Sequence, residues 1–271
     1  MARYACYSVD GAGLVSPRCP SGQWSAYRRA VSTPGSYLFC GTPRTGSTLL
    51  CSLLTSTGVA GRPESYFREP DQHTWAQRFG VPVADDGSFD YRAFTAGAVR
   101  AGTTPNGVFA ARIMWGTMNL LVDGLDPARQ RRRDLDVLVG AFGPLQLVHL
   151  RRDDVVSQAV SWARAEQTGY WHHGDQTSSA EPRLDLDQIN DLVSTIHGHN
   201  AAWTSWFTVQ DTDPLVVTYE DLVADPGHAV RRILRSVGQT PPVGWRPASS
   251  HRRQADEVSV DWVRRYYAAY G

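Results

Sequence analysis

The 271-residue sequence contains no lysine: each of the 27 positions counted as Lys or Arg is an arginine. Every cationic role therefore falls to a planar guanidinium, or to one of 8 histidines, and never to a compact ammonium. Net charge is missing as well. The 27 arginines are balanced by 27 acidic residues, so no global basic field draws the chain to nucleic acid or to an anionic membrane. No apolar run approaches the ~18 residues that mark a membrane-crossing helix, and the N-terminus has no apolar signal-peptide core. No membrane insertion is expected, and the cytoplasm is the expected location. Cysteine is scarce, and Cys6, Cys19, Cys40 and Cys51 show no metal-ligand spacing. Cys40 ends an apolar strand and Cys51 lies in the helix after it, where free cysteines pack as small hydrophobes. No metal is expected.

What is present suits one core. With 42% hydrophobic residues, the length is right for a single α/β domain. We place that domain at residues 36–271. Residues 1–35, with the Ser/Gly/Pro-bearing stretch GAGLVSPRCPSGQW, are expected to form a poorly ordered N-terminal extension. Apolar runs predict strands at 37–40, 108–113, 145–150 and 215–219, short enough for burial on both faces of a parallel sheet. Helices are predicted at 47–56, 153–167, 186–207, 226–237 and 259–270, and loops at 85–88 and 170–185. Alternating strands and helices of this kind predict an α/β fold, a three-layer sandwich of the P-loop nucleoside triphosphate hydrolase type with a central parallel sheet.

The first strand runs into GTPRTGST and a helix. A nucleotide-hydrolysing loop reads GxxxxGK[ST], with lysine on the β/γ-phosphates and Ser/Thr on Mg²⁺. Here Gly41 and Gly46 keep the spacing, but Ser47 stands where lysine belongs. Arg44 is the one cation of the loop, and its fork suits a phosphate, including one that leaves. The second chemical segment is HLRRDDVVSQAVSWARA, in which a strand meets a helix N-capped by Asp153 or Asp154. There Arg152 precedes the helix, and Ser157, Ser161 and Arg164 share one face.

These segments, together with TGVAGRPESYF, TPNGVFAARIMW and RQADEVSVDWVRRY, resemble the Stf0 family of bacterial sulfotransferases over nearly the whole chain from residue 36. The resemblance implies 3′-phosphoadenylyl sulfate (PAPS) as co-substrate, and a small-molecule hydroxyl acceptor such as a carbohydrate or hydroxylated metabolite. It implies that Arg44, Thr45, Gly46, Ser47 and Thr48 bind the 5′-phosphosulfate, and that Arg152, Ser157 and Arg253 bind the 3′-phosphate. Arg151 and Arg252 are the weaker alternatives. It also implies a general base in GRPESYFRE. Glu64 is the nearest match, one position from the glutamates of trehalose-sulfating members, whose places are taken by Arg62 and Ser65. Glu69, His149, His172 and His173 are the other candidates. Arg62, Ser65, Arg112 and Trp115 are expected at the acceptor, although a Trp beside Ile113 and Met114 more often packs in a core. Trp171, His172, His173 and Asp175 fall in the predicted long loop, a place for a cover over the acceptor. The YEDL segment at 219–222 is read as structural. Family members often pair, so a homodimer is expected. The competing readings are a metal-dependent P-loop kinase, with Glu220 or Asp221 as the Mg²⁺ acid, and a nucleotide-binding protein without catalysis.

Overall fold

The computed structural model describes residues 35–128, 133–169, 171, 181–247 and 257–271, together with the backbone of 8–9 and 15–16. The chain divides into two units, Met1–Thr33 and Pro34–Gly271. In the first, β1 (Ser8–Val9) and β2 (Val15–Ser16) pair antiparallel. The expected disorder of the rest of residues 1–35 falls outside the described residues, apart from Gly35.

The second unit is built on β3 (Ser36–Gly41), SYLFCG, every residue of which is buried. Strand geometry sends alternate side chains to opposite faces, and both faces here are covered. Tyr37 and Phe39 join Leu50, Leu53 and Leu54 of α1 (Ser47–Thr55) and Ile233 and Leu234 of α9 (Pro226–Ser236). Leu38 and Cys40 join the opposite layer. That layer is formed by α2 (Gln72–Phe79), α3 (Tyr91–Gly102), α4 (Thr117–Leu125) and α5 (Asp134–Phe142), with Trp203, Trp206 and Phe207 of α7 (Leu186–Val209). A third apolar cluster packs α6 (Val155–Thr168) against α7 and α10 (Glu257–Tyr270) through Val160, Ile189, Ile196 and Trp262.

The sheet order is β4 (Phe109–Met114), β3, β5 (Leu145–Arg151), β6 (Leu215–Thr218), all parallel. Gly41 is level with Met114 on one side and Leu150 on the other, and Arg151 is level with Thr218. Four strands therefore end on one edge, and the chain leaves β3 for strands on either side of it. In open α/β sheets the crevice beyond the strands' carboxyl ends at such a reversal is where ligands bind.

The four predicted strands are all present, with one correction. Thr218 ends β6 and caps α8 (Tyr219–Ala224), its Oγ1 accepting from Asp221 N at 3.0 Å, so Tyr219 starts a helix rather than finishing a strand. For α6 the cap is Asp154, whose carboxylate accepts from Ser157 N at 2.9 Å. Helices α2 to α5 were not predicted. In α3 the signal is weak because the helix carries Gly97 inside it, which lowers helix propensity. Packing demands that glycine: a Cβ on Gly97 would lie 2.6 Å from the Phe79 ring. Among the described residues no helix is long and apolar enough to cross a membrane.

Trp203 ties the layers together. It is fully buried, its Nε1 donates to Gly41 O at 2.9 Å, and its ring meets Trp115, Trp206 and Phe207. Trp203→Ala should cost about 3–5 kcal/mol, as large core truncations do, seen as a lower denaturation midpoint in guanidinium chloride with an unchanged slope.

Candidate functional site

The loop after β3 is bent by two left-handed residues, Arg44 (φ 68°) and Gly46 (φ 79°). Gly46 is obligatory twice over, because a Cβ there would also lie 2.7 Å from the Tyr219 ring. Thr45 is fully buried and pins the bend by donating from Oγ1 to Thr42 O at 3.0 Å. Gln158 Nε2 of α6 donates to Pro43 O at 2.7 Å from the other side. Gly46 caps α1 without a side-chain acceptor, and α1 has no acidic residue in its first turn. The loop therefore offers backbone donors at the positive end of a helix dipole.

The lysine absent from the loop has a counterpart on the next strand. Side-chain alternation along β4 puts Arg112 on the α1 side of the sheet, between Ala111 and Ile113, which face the other layer. Its NH1 donates to Thr48 Oγ1 at 3.0 Å and to Ser47 Oγ at 3.3 Å, and its Nε donates to Ser65 Oγ at 2.8 Å. Residues around Glu64 run alongside β4, with Arg112 N donating to Glu64 O at 2.9 Å. The Glu64 side chain reaches solvent, yet the protein around its carboxyl raises the pKa from the ordinary value, and the Arg112 charge opposes that rise. A carboxylate so tuned suits proton abstraction nearer neutral pH.

Across the crevice stands α6. Arg44 Nε donates to Ser161 Oγ at 3.0 Å, and Arg44 NH1 donates to Trp171 O at 3.0 Å. Arg152 lies over the Tyr219 ring, 4.4 Å from its centroid. Arg164 donates to Ser259 Oγ of α10. An open cleft of about 1000 Å³ lies between these elements, lined by Arg44, Gly46, Ser47 and Thr48, by Ser65 and Arg112, and by Arg152, Ser157, Ser161 and Arg164. Two acids also line it, and both are engaged: Asp154 caps α6, and Asp71 takes a two-pronged pair from Arg68 at 2.6 and 2.9 Å. The polar part of the lining is thus arginines and hydroxyls, a chemistry matched to anions, set beside apolar Leu49, Leu53, Met114, Val223 and Val260. Among the described residues no group of three or more His, Cys, Asp or Glu is arranged to hold a metal.

The structure brings most of the named residues to this cavity, but not all: Glu64, beside the lining Ser65, and the buried Thr45 are not part of its wall. Arg62 is exposed and donates to Thr103 O at 3.0 Å, at the C-terminal end of α3. Trp115 rests edge-on against Trp203 at 5.0 Å and takes part in the core. Arg151 pairs with Asp153 at 3.3 Å on the surface, and Glu69 lies in an exposed turn. His149 is buried against Phe207. Arg253, Arg252, His172, His173 and Asp175 lie outside the described residues. Sequence reasoning gave no binding role to Tyr219 or Ser259, and gave Glu220 one only as the Mg²⁺ acid of the competing kinase reading. The only local signal for Tyr219 and Glu220 was a polar YED directly after an apolar strand.

A parallel sheet of this order, a lysine-free phosphate loop and an arginine-lined crevice define a class. The fold is similar to the sulfotransferase domain from the curacin biosynthetic pathway, with a TM-score of 0.50 at 12% identity, covering 84% of this chain and 83% of that one. The description of the Stf0 sulphotransferase family matches residues 36–269. Two proteins called trehalose 2-sulfotransferase, from Mycolicibacterium smegmatis and Mycobacterium tuberculosis, are each 31% identical over 255 residues, or 86% of this chain and 94% of theirs. The chain belongs to the Stf0 sulfotransferase family, and it is a sulfotransferase.

His149 supplies a test of this geometry. Burial, then the nearby Arg151 charge, lowers its pKa to about 4. The unfolded imidazole takes up a proton as pH falls through about 6.5, whereas the folded one stays neutral until about 4, so this residue removes stability progressively across that window, by roughly 3 kcal/mol at its end. The variant His149→Leu should lose that acid-side slope when unfolding free energy is measured between pH 7 and pH 4.

Proposed function

We propose that the enzyme transfers the sulfuryl group of PAPS to a hydroxyl of a carbohydrate or hydroxylated metabolite, releasing adenosine 3′,5′-bisphosphate. One observation supports the reading: two separate sets of anion-compatible donors, the lysine-free loop and the flank of α6, open on a single cavity and are joined by the Arg44 to Ser161 hydrogen bond. A donor with a 5′-phosphosulfate and a separate 3′-phosphate needs two such stations, while a nucleoside triphosphate presents its charge as one contiguous chain.

When bound, PAPS supplies a sulfuryl group carried on a phosphate. The backbone at Thr45 and Gly46 and the hydroxyls of Ser47 and Thr48 hold its 5′ end, and Arg44 neutralises the phosphate that remains. Arg152 and Ser157 hold the 3′-phosphate, and family resemblance assigns Arg253 to the same group. Glu64 accepts the proton that the acceptor hydroxyl gives up, and Arg112, hydrogen-bonded to the hydroxyls of Ser47, Thr48 and Ser65, sets positive charge between the loop and that base. In loose, in-line transfers of this kind, positioning and charge neutralisation supply most of the rate. The names of the two mycobacterial relatives favour a sugar acceptor. Since the Arg62 guanidinium is committed to α3, recognition of that acceptor falls to the cavity-lining Ser65 and Arg112.

A thermal-shift comparison tests the donor class. Adenosine 3′,5′-bisphosphate without metal should raise the melting midpoint, by the equivalent of about 2.7 kcal/mol at a concentration ~100 times its Kd. ADP should do so far less, and a preference for Mg·ATP would overturn the proposal. For the base, Glu64→Gln should lower kcat by about 10²- to 10⁴-fold and leave bisphosphate affinity unchanged. Because the base acts ionised, the wild-type rate should fall as pH drops through a pKa above the ordinary carboxylate value, and the variant should lack that limb. Undiminished turnover in Glu64→Gln excludes the residue.

A further inference from the structure

Glu220 is spent in an unusual way. It opens α8 immediately after β6, and its two carboxylate oxygens accept from two successive backbone amides, Asp153 N at 3.1 Å on Oε2 and Asp154 N at 3.3 Å on Oε1. Those amides lie directly in front of α6, so the carboxylate occupies the place where an anion would sit at a helix N-terminus. Further along, Val155 N donates to Asp153 O at 3.0 Å and Ser157 N to Asp154 Oδ1 at 2.9 Å. Three of the amides at the nose of α6 are thus taken by the protein's own acids, while the hydroxyls and guanidinium along its flank line the cavity. The neighbouring Tyr219 reinforces the arrangement. Its ring supports Arg152 at 4.4 Å and fills the space beside Gly46 of the phosphate loop. One dipeptide therefore touches the phosphate loop, the arginine of the second station and the backbone ahead of α6.

A carboxylate bonded to the amide that follows Arg152 in the chain works against a field that attracts a phosphate. We propose that Glu220 is a positioning residue for the donor nucleotide: by filling the anion position at the nose of α6, it directs the 3′-phosphate to Arg152 and Ser157 on the helix flank. This inference rests on the reading of Arg152 and Ser157 as the 3′-phosphate station. Without Glu220, two amides at the positive end of the helix dipole become available and compete with the flank for the phosphate, in a pose that misplaces the rest of the nucleotide.

The test is calorimetric, on the full chain, with adenosine 3′,5′-bisphosphate and ADP as the two probes, for the wild type, Glu220→Ala, Glu220→Gln and Arg152→Ala. Glu220→Ala should weaken the bisphosphate by about 10-fold or more, as expected for charge-assisted hydrogen bonds, and leave ADP unchanged. The KM for PAPS should rise in step with kcat retained. Glu220→Gln, which keeps an oxygen acceptor but not the charge, should fall between the wild type and Glu220→Ala. If Arg152→Ala lowers the preference for the bisphosphate and Glu220→Ala does not, the inference is overturned while the station stands. If Arg152→Ala weakens both ligands equally, the station is refuted and the inference goes with it. Should Glu220→Ala fail to fold by circular dichroism, Glu220→Gln decides: a reduced preference supports the proposal, and an unchanged one overturns it.

Discussion

Gly41 is the point on which the rest of the molecule hangs. Its carbonyl accepts from Trp115 N at 3.0 Å and from Trp203 Nε1 at 2.9 Å, so the end of the central strand is fixed to β4 on one side and to the longest helix behind it. A Cβ at this position would lie 2.9 Å from Leu150 O, so only glycine lets β5 pass so close. Because β3 is held in register on both flanks, the four strands end together, and Arg112, Arg152 and Tyr219, which lie near the ends of three different strands, reach one crevice with the loop. Sheet register, a property of the core, thereby sets the geometry of a surface site.

The charge arrangement follows the same logic. A P-loop lysine brings its cation within the loop itself, whereas here the cation at Ser47 and Thr48 arrives from the adjacent strand and also touches Ser65. Arg112 is therefore shared between the anion cradle and the segment that carries Glu64. Since its charge opposes the rise in the Glu64 pKa, the two residues form an electrostatic pair whose members lie on different elements. The fixed forks of arginine suit such sharing because their several donors keep a defined mutual geometry.

Much of this was legible in the sequence, and what was missed has physical causes. The loop and its flanking strand and helix are local, so glycine spacing and apolar runs sufficed. The face of α6 was equally readable from the spacing of Ser157, Ser161 and Arg164. Helices α2 to α5 were hidden because tertiary packing, such as Phe79 against Gly97, overrides propensity. Nor could a linear pattern reveal that Glu220 closes the nose of α6, a contact made across 66 and 67 residues of sequence. Trp115 shows the limit of residue-type reasoning: an aromatic beside a site is placed by its packing partner, here Trp203.

Among the described residues every cation lining the cavity is an arginine, which has a consequence for how the enzyme responds to acidity. Guanidinium stays protonated throughout the range in which proteins are handled, so the positive potential of the crevice is a fixed background rather than a variable. A phosphate ligand bound there would bring its own second ionisation, near pH 6, to that fixed positive background. The arginines act as a constant field in which such a ligand does the titrating.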